Sequence, residues 1–136
     1  MKMILFAIAA TGFLSPLLPA ESVEKKPSIR NVSPDQAEKL VKEVPGLIIL
    51  DVRTPEEFEQ GHIKGAVNID FFDSDFEKKA RILDPTKPVL VHCASGNRSS
   101  QAVDMLRQFR RTPAIYHLKD GFTAWKTAKK PVDVGK

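Results

Sequence analysis

Hydrophobic residues are concentrated in five short runs that are rich in Ile, Val and Leu. They lie at residues 29–32, 47–51, 66–70, 88–92 and 114–118, a length and composition typical of buried β-strands. Between them, apolar side chains recur every three or four residues, the spacing of one face of a helix. The clearest examples are Ala37, Leu40, Val41 and Val44, and further along Ala102, Met105, Leu106 and Phe109.

Two short polar segments predict where helices begin. Residues 33–36 (Ser-Pro-Asp-Gln) and 54–57 (Thr-Pro-Glu-Glu) each combine a capping hydroxyl, a proline at the first helical position and Gln or Glu three residues after the cap. That combination satisfies backbone N–H groups that would otherwise lack partners at a helix start.

The alternation of strands and helices predicts the architecture. Short connections between alternating elements favour βαβ crossovers, so we expect an α/β fold with a doubly wound, mostly parallel five-stranded sheet and helices on both faces. In such sheets ligands bind at the carboxyl ends of the strands. One domain over residues 29–136 accounts for all these elements.

The first 28 residues have a different character from this domain. Lys2 precedes an apolar run over residues 3–14, and small and proline residues follow up to Ala20. This is the order of a secretory signal, and the run is shorter than the roughly 20 residues needed to span a bilayer. We therefore predict a signal peptide over residues 1–20, cleavage after Ala20, a flexible lead-in over residues 21–28 and a periplasmic location, without stable membrane insertion of the mature chain.

The amino-acid composition limits the kinds of functional site that the chain can form. The 136 residues are 42% hydrophobic and 28% charged, as in an ordinary globular protein. The single cysteine, Cys93, excludes an intrachain disulfide and any site with several cysteine ligands, and the histidines at 62, 92 and 117 lack metal-binding spacing. We expect neither a metal nor an organic cofactor.

Charge is unevenly distributed along the chain. Removal of residues 1–20 leaves a net charge of +3, but residues 98–136 alone carry +6. A cationic final third can attract small anions to a site nearby. Scattered aromatic residues and the lack of a basic stripe argue against nucleic acid as a partner.

The segment with the clearest chemistry follows the fourth predicted strand. Cys93 ends that strand, and the loop after it contains Gly96, which can adopt a positive φ, before the next helix begins. Such a loop can turn its N–H groups inward to form an anion-binding cradle, aided by the positive end of the helix dipole. The same donors stabilise a thiolate, so we expect Cys93 to be nucleophilic with a lowered pKa. The alternative is that Cys93 is an inert core residue.

Several motifs together make the chain resemble a single-domain rhodanese, the thiosulfate-type sulfurtransferase family. They are Ser33-Pro34, residues 51–58 (Asp-Val-Arg-Thr-Pro-Glu-Glu-Phe), residues 61–66 (Gly-His-Ile-Lys-Gly-Ala), the cysteine loop, and residues 121–125 (Gly-Phe-Thr-Ala-Trp). The resemblance implies that Cys93 accepts a sulfane sulfur as a persulfide. It also implies that the residues following Cys93 bind the substrate; these are Ala94, Ser95, Gly96, Asn97, Arg98 and Ser99.

The resemblance further implies framework roles for Asp51, Arg53, Gly61 and His62, and a core or pocket-wall position for Trp125. One residue departs from the family pattern. Many relatives have Gly-Gly in the last motif, whereas this chain has Asp120 before Gly121, which places a carboxylate near the expected mouth of the site. We expect this carboxylate to oppose the binding of a dianionic donor, and Arg98 and the cationic final third to compensate.

The expected reaction has two steps. The Cys93 thiolate takes sulfur from thiosulfate, or from a persulfide or polysulfide donor, and cyanide or a thiol then removes it. The small side chains of Ala94 and Ser95 should leave the sulfur reachable.

Two alternatives stand beside this reaction. One is a non-catalytic persulfide carrier or sensing module. The other is a rhodanese-related phosphatase or arsenate reductase. In the loops of those enzymes arginine stands six residues after cysteine, whereas Arg98 is five residues after Cys93. We expect the shorter loop from Cys93 to Arg98 to be too tight to hold a tetrahedral oxyanion over the sulfur.

Overall fold

A computed structural model describes residues 3–4, 9–20 and 24–136, in which strands and helices alternate. The strands are β1 (Ser28–Asn31), β2 (Ile48–Asp51), β3 (Val67–Asn68), β4 (Val89–His92) and β5 (Ala114–His117). The helices are α1 (Pro34–Glu43), α2 (Pro55–Gln60), α3 (Phe76–Ile82), α4 (Asn97–Leu106) and α5 (Gly121–Thr127).

The strands form one parallel sheet in the order β1-β5-β4-β2-β3. β4 is central, with Asp51 of β2 opposite His92 and His117 of β5 opposite Val91. The carboxyl ends of three neighbouring strands therefore meet directly before Cys93. The predicted five-stranded α/β sheet is confirmed.

Side chains of the strands alternate between two apolar clusters, one on each face of the sheet. Val89 and Val91 pack with residues of α3 and α4, whereas Leu90 packs with Ala37 of α1 and with Phe122 and Trp125 of α5. This alternation follows from the period of two in an extended strand. It confirms helices on both faces and places Trp125, which is 2% exposed, in the core.

The two predicted helix starts have the expected hydrogen bonds. The hydroxyl of Ser33 accepts from the N–H of Gln36 at 3.2 Å, and the Gln36 side chain accepts from the N–H of Ser33 at 2.9 Å. Thr54 and Glu57 form the same reciprocal pair at the start of α2. Both prolines occupy the first turn, where no intrahelical N–H bond is lost.

The third strand is shorter than predicted. Backbone bonds to the end of β2 continue beyond it, since the N–H of Ile69 donates to the carbonyl of Asp51 at 3.0 Å and that of Phe71 donates to the carbonyl of Val52 at 3.1 Å. The carboxylate of Asp70 then accepts from the N–H of Phe72 at 2.9 Å, which turns the chain away from the sheet. An apolar run predicts the strand but does not predict this side-chain turn.

The described apolar residues of the predicted leader lie outside the core, whereas Pro27, directly before β1, is fully buried and its carbonyl accepts from Arg107 at 2.8 Å. Phe13, Leu14 and Leu17 are each at least 96% exposed. The described residues contain no helix that is long and apolar enough to cross a membrane. Residues 1–2 and 5–8 of the predicted leader, and Glu21 on the far side of the predicted cleavage point, lie outside the described residues.

Candidate active site

Cys93 lies at the carboxyl end of the central strand and is the first of the four residues, 93–96, that connect β4 to α4. Gly96 has φ +110°, which confirms the positive φ expected there, and α4 begins at the next residue. The loop therefore reverses direction within a few residues and turns its amide groups toward the cysteine side chain.

The sulfur of Cys93 is surrounded by hydrogen-bond donors. The N–H of Gly96 lies 3.1 Å from Sγ, and the hydroxyl of Ser99 lies 3.3 Å from it. Burial raises the pKa of the Cys93 thiol, but bonds from the Ser99 hydroxyl and from the amides of Ser99, Gly96 and Ser95 outweigh it, so the pKa is lowered. This direction agrees with the expectation of a nucleophilic thiolate.

The sulfur of Cys93 is buried. Cys93 is only 1% exposed, so the expectation that the small side chains of Ala94 and Ser95 leave the sulfur open is wrong for this state of the loop. The physical reason is that the sulfur is in close contact with other groups, the Gly96 amide at 3.1 Å and the Ser99 hydroxyl at 3.3 Å, so small side chains at positions 94 and 95 do not by themselves expose it.

Helix α5 holds this loop in place through its N-terminal amides. The N–H of Phe122 donates to the carbonyl of Cys93 at 2.8 Å, and that of Thr123 donates to the carbonyl of Ala94 at 3.1 Å. A Cβ on Gly121 would overlap the Ala94 carbonyl, and one on Gly96 would overlap the Lys119 carbonyl. The cysteine loop and the segment that leads into α5 therefore approach each other so closely that positions 96 and 121 both require glycine.

This approach also locates Asp120. It directly precedes α5 and is paired at 3.9 Å with Lys119, whose carbonyl faces Gly96. Both side chains are largely exposed. The segment that carries Asp120 thus lies against the cysteine loop, with the ammonium of Lys119 beside the carboxylate.

Arg98 is engaged by a carboxylate from α2. Its guanidinium donates to both oxygens of Glu57, at 2.7 and 3.1 Å. The Arg98 bond, opposed by burial and aided by bonds from Thr54, lowers the pKa of Glu57 to about 2. A role for Arg98 in binding an anionic donor stays a prediction, since in this structure much of its charge is balanced by Glu57.

We expect Glu57→Gln to lower the free energy of unfolding at pH 7 by about 1 kcal/mol, because solvent screens a pair whose carboxylate side chain is 35% exposed. The pKa of Glu57 is lower in the folded state, so its contribution is complete above about 4.5 and declines as the pH falls toward about 2. Urea unfolding of both proteins between pH 7 and pH 2 should show the difference shrinking over that interval.

Glu56→Gln provides the control for this measurement, because Glu56 is an exposed neighbour in the first turn of the same helix. It should change stability by much less than Glu57→Gln. A Glu57→Gln effect that persists undiminished at pH 2 would contradict a contribution from the carboxylate charge.

Buried charges next to the loop form a second network. Asp51 is fully buried, and Arg53 donates to it through Nε at 3.0 Å and through a terminal nitrogen at 2.7 Å. The same nitrogen of Arg53 donates to the carbonyl of Gly61 at 2.7 Å, and the guanidinium lies 4.1 Å from the ring centre of Phe122. Arg53 thus connects β2, the end of α2 and the start of α5.

Two histidines occupy structural positions around this network. His62 bonds to the carbonyl of Phe58 at 2.8 Å, and its backbone pairs with Asp133, which agrees with a framework role. His92 is fully buried, and its Nδ1 bonds to the carbonyl of Cys93 at 3.0 Å. Burial lowers the pKa of His92, so this ring is kept neutral beside the loop.

Sequence reasoning missed three participants in this site. The sequence patterns mark Glu57 only as a capping residue and His117 only as a histidine without metal-binding spacing. They give no sign of the role of the Phe122 amide. His117 lies 2.7 Å from Ser99 through Nε2. A polar residue at the carboxyl end of a strand beside β4 is the signal that could have drawn attention to His117.

Of two cavities considered for ligand binding, only one borders the cysteine loop. A cleft of about 270 Å³ borders the loop at Ala94 and is lined by Glu57, Thr123 and Lys126 among others. A larger cavity of about 590 Å³ lies at the ends of α3 and α4, near Arg81 and Arg107, away from Cys93. Within the ranges 3–4, 9–20 and 24–136, no three His, Cys, Asp or Glu side chains are placed to hold a metal ion.

Comparison with known proteins identifies the family. The model of the rhodanese-like domain family matches residues 33–128. The chain belongs to the rhodanese-like domain family. This sulfurtransferase family is the one that the sequence motifs resemble, and the five-stranded parallel sheet is shared with its solved structures.

Similar proteins include both named enzymes and unassigned relatives. This rhodanese-like domain is 33% identical over 99 residues to thiosulfate sulfurtransferase GlpE of Pseudomonas syringae, which covers 72% of this chain and 88% of that one. It is 42% identical over 77 residues to the uncharacterized protein YqhL of Bacillus subtilis, covering 57% of this chain and only 59% of YqhL. A rhodanese-related protein from Thermoplasma volcanium superposes with a TM-score of 0.66 at 30% identity, over 77% of this chain and 98% of that one.

Proposed function

We propose that the protein is a thiosulfate sulfurtransferase that carries sulfur on Cys93. The observation that supports this most is the sulfur itself, which lies 3.1 Å from the Gly96 amide and 3.3 Å from the Ser99 hydroxyl at the start of α4. Donors placed around a sulfur stabilise the thiolate before attack and an anionic persulfide afterwards.

The reaction balances without a cofactor. The thiolate of Cys93 attacks the outer sulfur of thiosulfate, forming an S–S bond while the bond between the two thiosulfate sulfurs breaks and sulfite leaves with its electron pair. Cyanide then attacks the outer sulfur of the persulfide, and the Cys93 thiolate leaves, giving thiocyanate. A thiol acceptor would take the same sulfur and release its proton. Amides over residues 94–99 and the guanidinium of Arg98 would bind the donor and the departing anion.

The burial of the sulfur and the ion pair between Arg98 and Glu57 constrain how a donor can bind. Because Cys93 is 1% exposed, groups that surround the sulfur must move before a donor can reach it. Because Arg98 is held by Glu57, its guanidinium would meet the donor from the side of α2. The loop length, with Arg98 five residues after Cys93, favours sulfur over phosphorus chemistry.

Thiocyanate stoichiometry tests the proposal against its alternatives. With excess thiosulfate and cyanide we expect many equivalents of thiocyanate per protein, whereas a persulfide carrier or sensor would give at most one. The same preparation should hydrolyse an aryl phosphate at a negligible rate. A single equivalent of thiocyanate would support the carrier, and phosphate hydrolysis exceeding sulfur transfer would support the phosphatase.

We also propose that the protein is exported and cleaved after Ala20. Support comes from the apolar run over residues 3–14 and from the exposure of Phe13, Leu14 and Leu17, side chains that contribute nothing to the domain core. Intact mass of the periplasmic protein should match a chain that begins at Glu21. A periplasmic product that begins at Met1 would contradict cleavage.

A further inference from the structure

A chain of hydrogen bonds leads from the sulfur of Cys93 to the edge of the sheet. The Ser99 hydroxyl lies 3.3 Å from Sγ of Cys93 and 2.7 Å from Nε2 of His117. On the other side of the ring, Nδ1 of His117 lies 3.2 Å from Oδ1 of Asn31. Ser99 and His117 are buried, whereas Asn31 is exposed on β1.

We propose that His117 receives the thiol proton of Cys93 through Ser99 and thereby favours the thiolate. His117 is a positioning residue in this arrangement, since it acts on the sulfur only through the hydroxyl. The proposal rests on the proposed nucleophilic role of Cys93.

The proton positions follow from the partners. Oδ1 of Asn31 can only accept, so Nδ1 of His117 carries the proton of the neutral ring and Nε2 is free to accept from the Ser99 hydroxyl. The oxygen of Ser99 then accepts from the Cys93 thiol. The Ser99 hydroxyl also lies 3.2 Å from the carbonyl of Gly96, but Nε2 of His117 is the nearer acceptor at 2.7 Å.

Transfer along the chain conserves every atom. The S–H bond of Cys93 breaks and its proton binds Oγ of Ser99, while the original hydroxyl proton passes to Nε2 of His117. The products are a thiolate and an imidazolium. In that state the Ser99 hydroxyl points at the sulfur, which is the arrangement that stabilises the negative charge.

The groups around His117 disfavour its protonated form unless the Cys93 thiolate is present. Burial and His92 on β4 lower the pKa of His117, Asp104 on α4 and Asp120 before α5 raise it, and Lys119 lowers it. Arg98 on α4 is a cation whose charge interacts with that of Cys93, although its guanidinium is bonded to Glu57. With burial dominating, the imidazolium needs the adjacent thiolate as its counter-charge, so the two groups should titrate as a pair.

Alkylation of Cys93 by iodoacetamide between pH 5 and pH 10 tests the relay without any sulfur donor. Ser99→Ala removes the hydroxyl, and His117→Gln keeps an amide that can bond to Ser99 but cannot take a proton. Each should slow alkylation at pH 7 about tenfold, equivalent to roughly one pH unit in the thiol titration. The double variant should be no slower than Ser99→Ala, because both residues act through one path.

Matched substitutions outside the chain serve as controls. His62→Gln makes the same change at a buried histidine that bonds to Phe58, and Ser100→Ala makes it at the exposed neighbour of Ser99. Both should alkylate like the wild type. A His117→Gln profile that superimposes on the wild type, or additive effects in the double variant, would overturn the relay.

A second measurement needs no variant at position 117. The imidazole titration of His117, followed by NMR, should move down by about one pH unit when Cys93 is alkylated in the wild type, and should not move in Ser99→Ala. An unchanged titration in the wild type would overturn the proposal. If His117 and Cys93 titrate together in a protein that does not turn over thiosulfate, the relay is upheld and the proposed function is refuted. If the protein turns over thiosulfate but the two groups titrate independently, the proposed function is upheld and the relay is refuted.

Discussion

Replacing Cys93 with alanine is expected to reduce thiosulfate-to-cyanide sulfur transfer by about a thousandfold or more, to the background rate. Cys93 is the one cysteine in the sequence, so no other thiol in the chain can hold the sulfur. Cys93→Ser should be equally inactive, because its oxygen cannot form a persulfide although it can still accept from the Gly96 amide. Thiocyanate formation under saturating thiosulfate measures both variants.

The fold should survive these substitutions. Cys93 contributes a small side chain to the apolar cluster with Val91 and Ala102, and serine preserves nearly the same volume. Thermal unfolding and circular dichroism should therefore show a cooperative folded protein in both variants. Turnover close to the wild-type rate in a folded Cys93→Ser protein would disprove the persulfide mechanism.

Arg53→Met is expected to destabilise the fold by about 3 to 5 kcal/mol. The substitution leaves the fully buried carboxylate of Asp51 without its charged partner, and a buried charge without compensation is costly. It also removes the bond to the Gly61 carbonyl, which connects the end of α2 to the site. Urea unfolding at pH 7 should show a lower transition midpoint.

Arg81→Met is the matched control, since Arg81 pairs with Glu77 on the surface with both side chains about half exposed. Such a pair contributes at most about 1 kcal/mol, so this variant should be nearly as stable as the wild type. Adding Asp51→Asn to Arg53→Met should recover part of the lost stability because it removes the uncompensated charge. Equal effects of Arg53→Met and Arg81→Met would contradict the structural importance of the buried pair.

Local patterns were sufficient to predict the elements of this fold. β2, β4 and β5 lie within apolar runs. The helices that begin after Ser33 and Thr54 are marked by capping residues whose hydrogen-bond partners are three positions away. Gly96 marks the turn after β4 because few other residues adopt φ +110°. These features depend on neighbours in sequence, which is why a pattern could predict them.

Pairings between distant residues were beyond such patterns. Glu57 and Arg98 are 41 positions apart, and a charged residue in a helix gives no sign of which cation it will meet. The same holds for Asn31 and His117, which are 86 positions apart. Both pairs form because of the strand order β1-β5-β4-β2-β3, which places β1 beside β5 and β2 beside β4.

The sequence by itself determined the α/β alternation, the cysteine at the end of a buried strand and the glycine-containing loop after it, because these rest on short-range periodicity and backbone conformation. Only the tertiary structure decided that the sulfur is buried, that α5 donates two amides to the carbonyls of Cys93 and Ala94, and that Ser99 lies between Cys93 and His117. The physical reason is that hydrogen bonds and ion pairs act over a few ångströms, and only the packing of the sheet and helices brings those groups within that distance.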